Sequence, residues 1–158
     1  MHFNRTTDYE LVRRILTRRR MYEWMGDDYA PPVEQFQVNT DPRIWYVLAS
    51  DEWRAIGLFC FFPENEICWA AHVALLRGTH PRLTHRAGWE VVRWLWNNTP
   101  CLRLTAKVPA CNRAAVRFGL GPMGLKLIGP TLEQSVEPLS FMKGGRLVDQ
   151  ILMGRSRP

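Results

Sequence analysis

The chain has 158 residues, the length of one ordinary domain, and its hydrophobic content of 46% is enough to fill a core. Its seven Trp and seven Phe are typical of a compact α/β protein and exclude a disordered or fibrous chain. No run of about 18 apolar residues is present, and the opening MHFNRTTDYE lacks the pattern of a signal peptide. We therefore expect a cytoplasmic protein without a membrane segment.

The formal net charge of +6 favours anionic partners in general. Much of this charge lies in the first predicted helix, at Arg13, Arg14, Arg18, Arg19 and Arg20. A solvated helix face explains such a cluster most simply, and a surface for an anionic protein is the alternative. Direct binding of nucleic acid is the least favoured interpretation.

The four cysteines, Cys60, Cys68, Cys101 and Cys111, form no CxxC pair and have no histidine at zinc-finger spacing. We therefore expect no metal site. Reduced thiols are the main interpretation, since disulfides are rare in the cytosol, and a Cys60–Cys68 bond is the less favoured alternative.

The first half of the chain predicts an α-helix followed by three strands. After a short edge strand at HFN, Asp8 is placed as an N-cap for a helix from about Tyr9 to Trp24. The proline-containing stretch GDDYAPPVEQFQVNTDPR predicts a loop with one short helical turn. Three apolar runs then predict an antiparallel meander, at Ile44 to Ala49, Ala55 to Phe62 and Ile67 to Leu76.

The second half predicts two further helices and three further strands. The basic loop RGTHPRLTHRAG precedes an amphipathic helix that opens near Gly88, carries Trp89, Trp94 and Trp96, mostly as core residues, and ends near Asn98. A strand from Leu102 to Val108 follows, and Asn112 is placed as the cap of the next helix. Two strands, Leu125 to Ile128 and Leu147 to Met153, are joined by a hairpin-like excursion.

This order of elements, with the stretch CNRAAVRFGLGPMGLKLIG and the ending GGRLVDQILMGRSR, resembles the Gcn5-related N-acetyltransferase (GNAT) superfamily. The resemblance covers nearly the whole chain. It implies a single α/β domain, residues 1–158, with a mixed, mostly antiparallel sheet of six to seven strands flanked by helices. More weakly, the chain resembles small acetyltransferase-like proteins that tailed bacteriophages encode among head and tail genes.

The resemblance implies a site for acetyl-CoA in a gap between the fourth and fifth strands. Its pyrophosphate would rest on free amides at the start of the following helix, where the helix dipole adds positive potential. The residues implied are Val73, Leu75, Arg77, Arg82, Arg86, Ala87, Gly88 and Asn112, with Gly78 and His85 in the same basic stretch. Arg86 stands where the family has its first glycine, and a plain basic loop is the alternative interpretation.

Acetyl transfer also requires a base for the acceptor amine and often an acid for the departing thiolate. Glu66 and His72 are the candidate bases, although a hydrogen-bonded strand histidine is the more common role for a residue such as His72. The position of the family's acidic tyrosine holds Gly119, and no tyrosine follows Tyr46. Efficient catalysis is therefore less expected than the fold.

Two functions remain open from the sequence. The first is an N-acyltransferase that uses acetyl-CoA and an amine acceptor, with weak or lost activity. The second is a structural or adaptor protein of a tailed-phage virion, which would contact head or tail proteins, form homo-oligomers or both, and lie in the host cytoplasm or the virion.

Overall fold

A computed structural model describes residues 1–52 and 54–158. These residues form eight strands and four α-helices. In chain order they are β1 (His2–Thr6), α1 (Tyr9–Leu16), α2 (Arg19–Met25), β2 (Trp45–Asp51), β3 (Arg54–Pro63), β4 (Cys68–Leu75), α3 (Pro81–Asn98), β5 (Arg103–Pro109), α4 (Arg113–Leu120), β6 (Lys126–Leu127), β7 (Val136–Lys143) and β8 (Arg146–Ser156).

All eight strands join one mixed sheet in the order β1-β2-β3-β4-β5-β8-β6, with β7 paired to β8. Every pairing is antiparallel except the parallel one between β4 and β5. The predicted meander is therefore confirmed. The predicted count of six to seven strands is low by at least one, because β7 lies in the excursion that was read as a connection. Its pairing shifts register between Glu137 and Phe141, so its sequence lacks the regular alternation that marks a strand.

The two faces of the sheet are covered by different helices. On one face α3 and α4 pack over the larger core, which contains Phe59, Phe61, Val91, Leu95 and Leu104. On the other face α1 contributes Val12, Ile15 and Leu16 to a smaller core with Tyr46 and Leu58. The Asp8 cap is confirmed, since its Oδ1 accepts the N–H of Leu11 at 2.9 Å. The loop after α2 holds the expected short helical turn, Val33–Gln35.

The predicted single helix from Tyr9 to Trp24 is wrong, because the helix breaks at Thr17 and Arg18. Thr17 donates both its N–H and its hydroxyl to the carbonyl of Arg13, each at 2.8 Å. Such local side-chain bonding competes with helix continuation. Arg18 then takes an extended conformation, with ψ of 125°, before α2 begins.

The start of α3 is also displaced from its predicted position near Gly88. The helix begins seven residues earlier, at Pro81, where a proline fits because a first-turn amide needs no intrahelical partner. Ala87 and Gly88 are therefore inside the helix and fully buried. Of the three tryptophans on α3, Trp96 is buried, Trp94 is half-buried and Trp89 is 45% exposed.

The cysteines are free thiols in the described part of the chain. Cys60 lies opposite His72 across the β3–β4 pairing, four residues along β4 from Cys68. At about 3.3 Å per residue the two cysteines are too far apart for a disulfide. Burial raises the pKa of the Cys60 thiol to about 12, which makes it unreactive at neutral pH.

We expect Gly88→Ala to destabilise the protein, although this substitution normally stabilises a helix by about 1 kcal/mol. A Cβ at Gly88 would lie 2.7 Å from Pro122 Cβ and 2.9 Å from Phe118 Cζ, so α3 could not keep its distance from α4. The expected net loss is roughly 1 kcal/mol, measured by urea unfolding. The control Arg93→Ala, exposed on the same helix, should change stability by less than about 0.5 kcal/mol. A Gly88→Ala protein as stable as the parent would contradict the close packing.

Candidate functional site

The strands β4 and β5 pair over only three residues and then separate. The paired residues are Cys68 with Arg103, Trp69 with Leu104, and Ala70 with Thr105. Beyond this point β4 remains paired with β3 through Leu75, and β5 remains paired with β8 through Pro109. The result is a V-shaped cleft, which we call the β4–β5 cleft, with its vertex at Ala70 and Thr105 and its mouth at the carboxyl ends of both strands.

The edge of β4 that faces this cleft offers backbone groups without a strand partner. Leu76 donates its N–H toward β3, to Ile56 O at 2.8 Å, whereas Trp69 O accepts from Thr105 Oγ1 on the β5 side. Because hydrogen-bonding direction alternates along a strand, the N–H and C=O groups of Ala71, Val73 and Leu75 point into the cleft. Such an edge can pair with an extended chain that carries amide groups. Val73 and Leu75, which were predicted to contact the coenzyme, thus lie on this edge of β4.

The start of α3 lies at the mouth of the cleft, but its first amides are already engaged. Pro81 has no N–H. The backbone N–H of Arg82 donates to Nδ1 of the His80 side chain, at a distance of 3.2 Å. The N–H groups of Leu83 and Thr84 donate to His80 O at 2.9 and 3.2 Å. The helix is therefore capped by its own N-cap residue.

The predicted cradle of free amides around Ala87 and Gly88 is consequently wrong. Both residues lie in the second turn of α3 or beyond it, where backbone N–H groups bond within the helix, and both side-chain positions face the core. The sequence predicts a loop here because the stretch is polar and basic and contains two glycines and a proline. A helix that begins with proline and packs closely against another helix through a glycine has the same composition as such a loop.

The positive charge at the cleft mouth comes from side chains. Arg77, Arg82 and Arg86 are all exposed there. Arg86 is partly committed, because its Nε lies 2.6 Å from Glu90 Oε1, whereas Arg77 and Arg82 have no carboxylate within 4.0 Å in residues 1–52 and 54–158. Together with His85 and Pro81, two of these arginines line a shallow depression along α3 that ends at Trp89.

Helix α4 begins on the opposite side of the cleft mouth, directly after β5. Asn112 is its N-cap as predicted, since its Oδ1 accepts the N–H of Ala115 at 3.2 Å. Gly119, placed by the resemblance at the position of a catalytic tyrosine, instead packs against β8: a Cβ there would lie 2.9 Å from Met153 Cε. Glycine carries no side chain, so α4 supplies no acid from this position.

The two predicted bases, Glu66 and His72, lie far apart. Glu66 is exposed in the β3–β4 turn, and six residues separate it from His72, roughly 20 Å along an extended strand. His72 lies on the α1 face beyond the vertex, with its ring 5.2 Å from that of Phe62 in an edge-on arrangement. The His72 side chain is exposed at the surface of the sheet, yet the protein packed around it lowers the pKa of its imidazole from the usual 6.5 by desolvation. The imidazole is therefore neutral at pH 7 and can accept a proton.

Glu64 and Thr105 mark the vertex of the cleft and were not predicted. Glu64 Oε2 accepts from Thr105 Oγ1 at 3.2 Å and from the Cys68 thiol at 3.1 Å. Desolvation and this carboxylate both raise the pKa of Cys68. Glu64 and Thr105 are 41 residues apart in the chain, so no local pattern could have connected them.

The β7–β8 hairpin connects the β5 side of the cleft to the segment after α2. Its two turn glycines, Gly144 and Gly145, have φ of 60° and 70°, a combination that favours glycine. Their N–H groups donate to the carboxylate of Asp28 at 3.1 and 2.7 Å, and Asp28 N–H donates to Met142 O at 3.0 Å. Lys143 adds a bond to Gly26 O at 3.2 Å. We call this contact the hairpin clasp; it ties the two sides of the sheet together on the α1 face.

In residues 1–52 and 54–158 there is no group of three or more His, Cys, Asp or Glu side chains that could hold a metal ion. The helices described there include none that is long and apolar enough to cross a membrane.

We expect Asp28→Asn to loosen the hairpin clasp, because an amide has one acceptor oxygen where the carboxylate uses two. Hydrogen exchange at Gly144 and Gly145 should accelerate, as measured by NMR. The matched control is Asp27→Asn, whose carboxylate accepts from Tyr29 N–H and does not touch the hairpin. Equal acceleration in both variants would refute the role of Asp28.

We expect the His72 imidazole to titrate below pH 6.5 in the folded protein, as followed by NMR. As the pH falls below 6.5, the unfolded chain binds a proton at His72 before the folded protein does. The stability conferred by neutral His72 is therefore present above pH 6.5 and is lost as the pH falls through the folded pKa. The variant His72→Gln should lack this loss, whereas His85→Gln, an exposed change on α3, should retain it. A midpoint at or above 6.5 would contradict the desolvation of His72.

Neither a protein-family model nor a curated protein sequence matches the chain. Solved structures do match it over nearly its whole length. Spermidine N-acetyltransferase from Vibrio cholerae, in complex with CoA and spermine, has a TM-score of 0.75 at 10% identity and covers 98% of this chain and 94% of its own.

Two further structures give the same result. A GCN5-related N-acetyltransferase from Kribbella flavida has a TM-score of 0.68 at 16% identity, covering 99% of this chain and 97% of its own. Ribosomal-protein-alanine N-acetyltransferase from Brucella melitensis has a TM-score of 0.67 at 13% identity, covering 99% and 100%. The α/β architecture described above is therefore the GNAT fold.

Proposed function

We propose that this protein binds acetyl-CoA in the β4–β5 cleft and transfers the acetyl group to an amine. The observation that carries the proposal is the separation of β4 from β5 after three residue pairs, with the backbone groups of Val73 and Leu75 unpaired toward the gap. The named functions of similar structures support it, since they include amine acetyltransferases, one of them with CoA bound. Because a fold does not fix an activity, the proposal depends on this cleft.

The cleft suits the pantetheine arm of the coenzyme better than its diphosphate. Pantetheine is extended and carries two amides, which can pair with the free edge of β4 at Val73 and Leu75 as an added strand would. The diphosphate has no free helix amides, because His80 and Pro81 close the start of α3. We therefore assign the diphosphate contact to the guanidinium groups of Arg77 and Arg82, with Arg86 as a partner shared with Glu90.

The bound coenzyme would supply an acetyl thioester, which a neutral amine can attack. His72 is the preferred base, since its neutral imidazole lies on the α1 face, beyond the vertex and along the open part of the cleft. Glu64 at the vertex is the second candidate, and Glu66 is too far along the turn to act with His72. The carboxylates of Glu64 and Glu66 favour a cationic amine as the acceptor. With Gly119 closed against Met153, the thiolate leaves without an acid from that position, which favours slow turnover.

A non-catalytic adaptor is the second candidate, and the start of α3 favours it. The family-like cradle is absent at Ala87 and Gly88, and Trp89 is 45% exposed in a position to contact another protein. The compared structures are named as bacterial acetyltransferases. A role in a phage virion, with head or tail proteins as partners, remains a prediction from the sequence, as do homo-oligomers and a cytoplasmic or virion location.

We expect acetyl-CoA to stabilise the protein against heat, by about 2.7 kcal/mol when its concentration is 100 times the dissociation constant. The variant Arg82→Gln should weaken binding by about 5- to 10-fold in calorimetry, because it removes an unpaired guanidinium at the cleft mouth. Arg93→Gln removes the same charge further along α3, and it should leave the affinity unchanged.

Absence of stabilisation at about 5 mM acetyl-CoA would rule out the proposal. If the protein does not bind acetyl-CoA but forms a stable complex with another protein, the adaptor function is established instead. Binding that is weakened equally by Arg82→Gln and Arg93→Gln would place the coenzyme outside the cleft mouth.

A further inference from the structure

A second concave site lies at the end of the sheet opposite the cleft mouth. It has a volume of about 550 Å³ and sits between α3, the start of β5, β6 and the end of β8. Its lining includes Trp89, Arg103, Lys126, Ile128 and Arg155, with glycines at positions 124 and 154. Because β5 begins and β8 ends here, this cavity lies at the vertex end of the β4–β5 cleft and not at its mouth, and it shares only Trp89 with the depression along α3.

Arg155 is held in place at the wall of this cavity. Its Cζ lies 5.1 Å from the ring centre of Trp89 and 5.0 Å from that of Trp96. Its Nη1 donates to Met123 O at 3.3 Å. The indole rings and the carbonyl fix the guanidinium before any ligand arrives, so ordering it on binding costs little.

The charge of Arg155 has no anionic partner in the described part of the chain. The residue is half-buried, and no carboxylate lies within 4.0 Å of it in residues 1–52 and 54–158. Partly buried charges are normally paired, because removing them from water is unfavourable. Arg103 and Lys126, on the same cavity, are likewise without a carboxylate among these residues. Three cations thus line one cavity, and none of them has a carboxylate within 4.0 Å among the described residues.

Glycine keeps the cavity open beside these cations. Gly124 has φ of 62°, and a Cβ there would lie 2.8 Å from Arg155 Nη1. A Cβ on Gly154 would lie 3.6 Å from Arg103 Nη2. Side chains at these two positions would displace or cover the guanidinium groups. Their absence leaves the N–H donors of both arginines accessible from the cavity.

The rest of the lining is apolar and accessible. Trp89 is 45% exposed and Ile128 is 47% exposed. A ligand that is wholly ionic would leave this surface in water, whereas one with an anionic group next to a ring or hydrocarbon part would cover it. Guanidinium groups match the geometry of phosphate oxygens, and two arginines with a lysine suit a doubly charged phosphate.

We propose that this cavity binds a small organic phosphate, with the phosphate on Arg103, Lys126 and Arg155 and the organic part on Trp89 and Ile128. The proposal does not require acetyl-CoA binding or acetyl transfer, because none of its three cations is assigned to the coenzyme; only Trp89 is shared with the depression along α3. It adds a second ligand site to the protein.

The test uses AMP as the probe and the full-length protein in calorimetry at low salt. AMP should bind with a dissociation constant below about 1 mM, and adenosine, which lacks the phosphate, should bind at least about 10-fold more weakly. Arg155→Gln should weaken AMP binding by about 10-fold. Lys126→Gln, an exposed change that leaves the packing untouched, should weaken it by about 3-fold.

The matched control is Arg146→Gln, which removes the same charge at the other, exposed end of β8 and should leave AMP binding unchanged. Circular dichroism confirms the folding of each variant. The proposal is wrong if AMP does not bind at about 5 mM, if adenosine binds as well as AMP, or if Arg146→Gln weakens binding as much as Arg155→Gln and Lys126→Gln. A competition experiment gives a further test, because Arg82→Gln should weaken acetyl-CoA binding at the cleft mouth. If acetyl-CoA displaces AMP from this variant as readily as from the parent protein, the two ligands share this cavity and the proposal is wrong.

Discussion

The parallel contact between β4 and β5 is the constraint on which the candidate site depends. Each strand has a long antiparallel partner, β3 or β8, and these two pairings fix the strand directions more strongly than the three shared residue pairs do. The strands therefore separate beyond Ala70 and Thr105. Backbone groups of β4 that would be paired inside a closed sheet remain available, and an exposed backbone donor or acceptor requires a partner, either water or a ligand.

The early start of α3 has two consequences for the proposed coenzyme site. It brings Ala87 and Gly88 into the core, where Gly88 allows close contact with Phe118 and Pro122. The same early start leaves the first amides of the helix hydrogen-bonded to His80, so they are not free to bind a ligand. Affinity for a diphosphate then rests on flexible arginine side chains, which lose more conformational freedom on binding than main-chain amides do. Under the proposed function, such a site would bind the pantetheine arm more readily than the diphosphate.

The α1 face of the sheet brings together groups that are distant in the chain. The hairpin clasp joins Asp28 to Gly144 and Gly145, and Glu64 reaches Thr105 at the vertex. His72 lies on the same face, opposite Cys60 of β3. On the far end of the sheet, Arg155 occupies an aromatic pocket of α3 with its charge unmatched. Cations thus occur at both ends of the sheet, as exposed arginines at the cleft mouth and as Arg155 beside two indole rings in the second cavity.

The sequence alone determined the antiparallel meander and the caps at Asp8 and Asn112, because caps and strand periodicity are local properties. It misplaced the start of α3, since a proline and glycines suit a loop and a packed helix equally well. It missed β7, whose bulged pairing hides the alternation. Only the tertiary structure decided that Glu64 meets Thr105, that Gly119 is closed against Met153 and that Arg155 lies between two indole rings. Such contacts join segments far apart in the chain, and they form only when the hydrophobic cores on the two faces of the sheet bring those segments together.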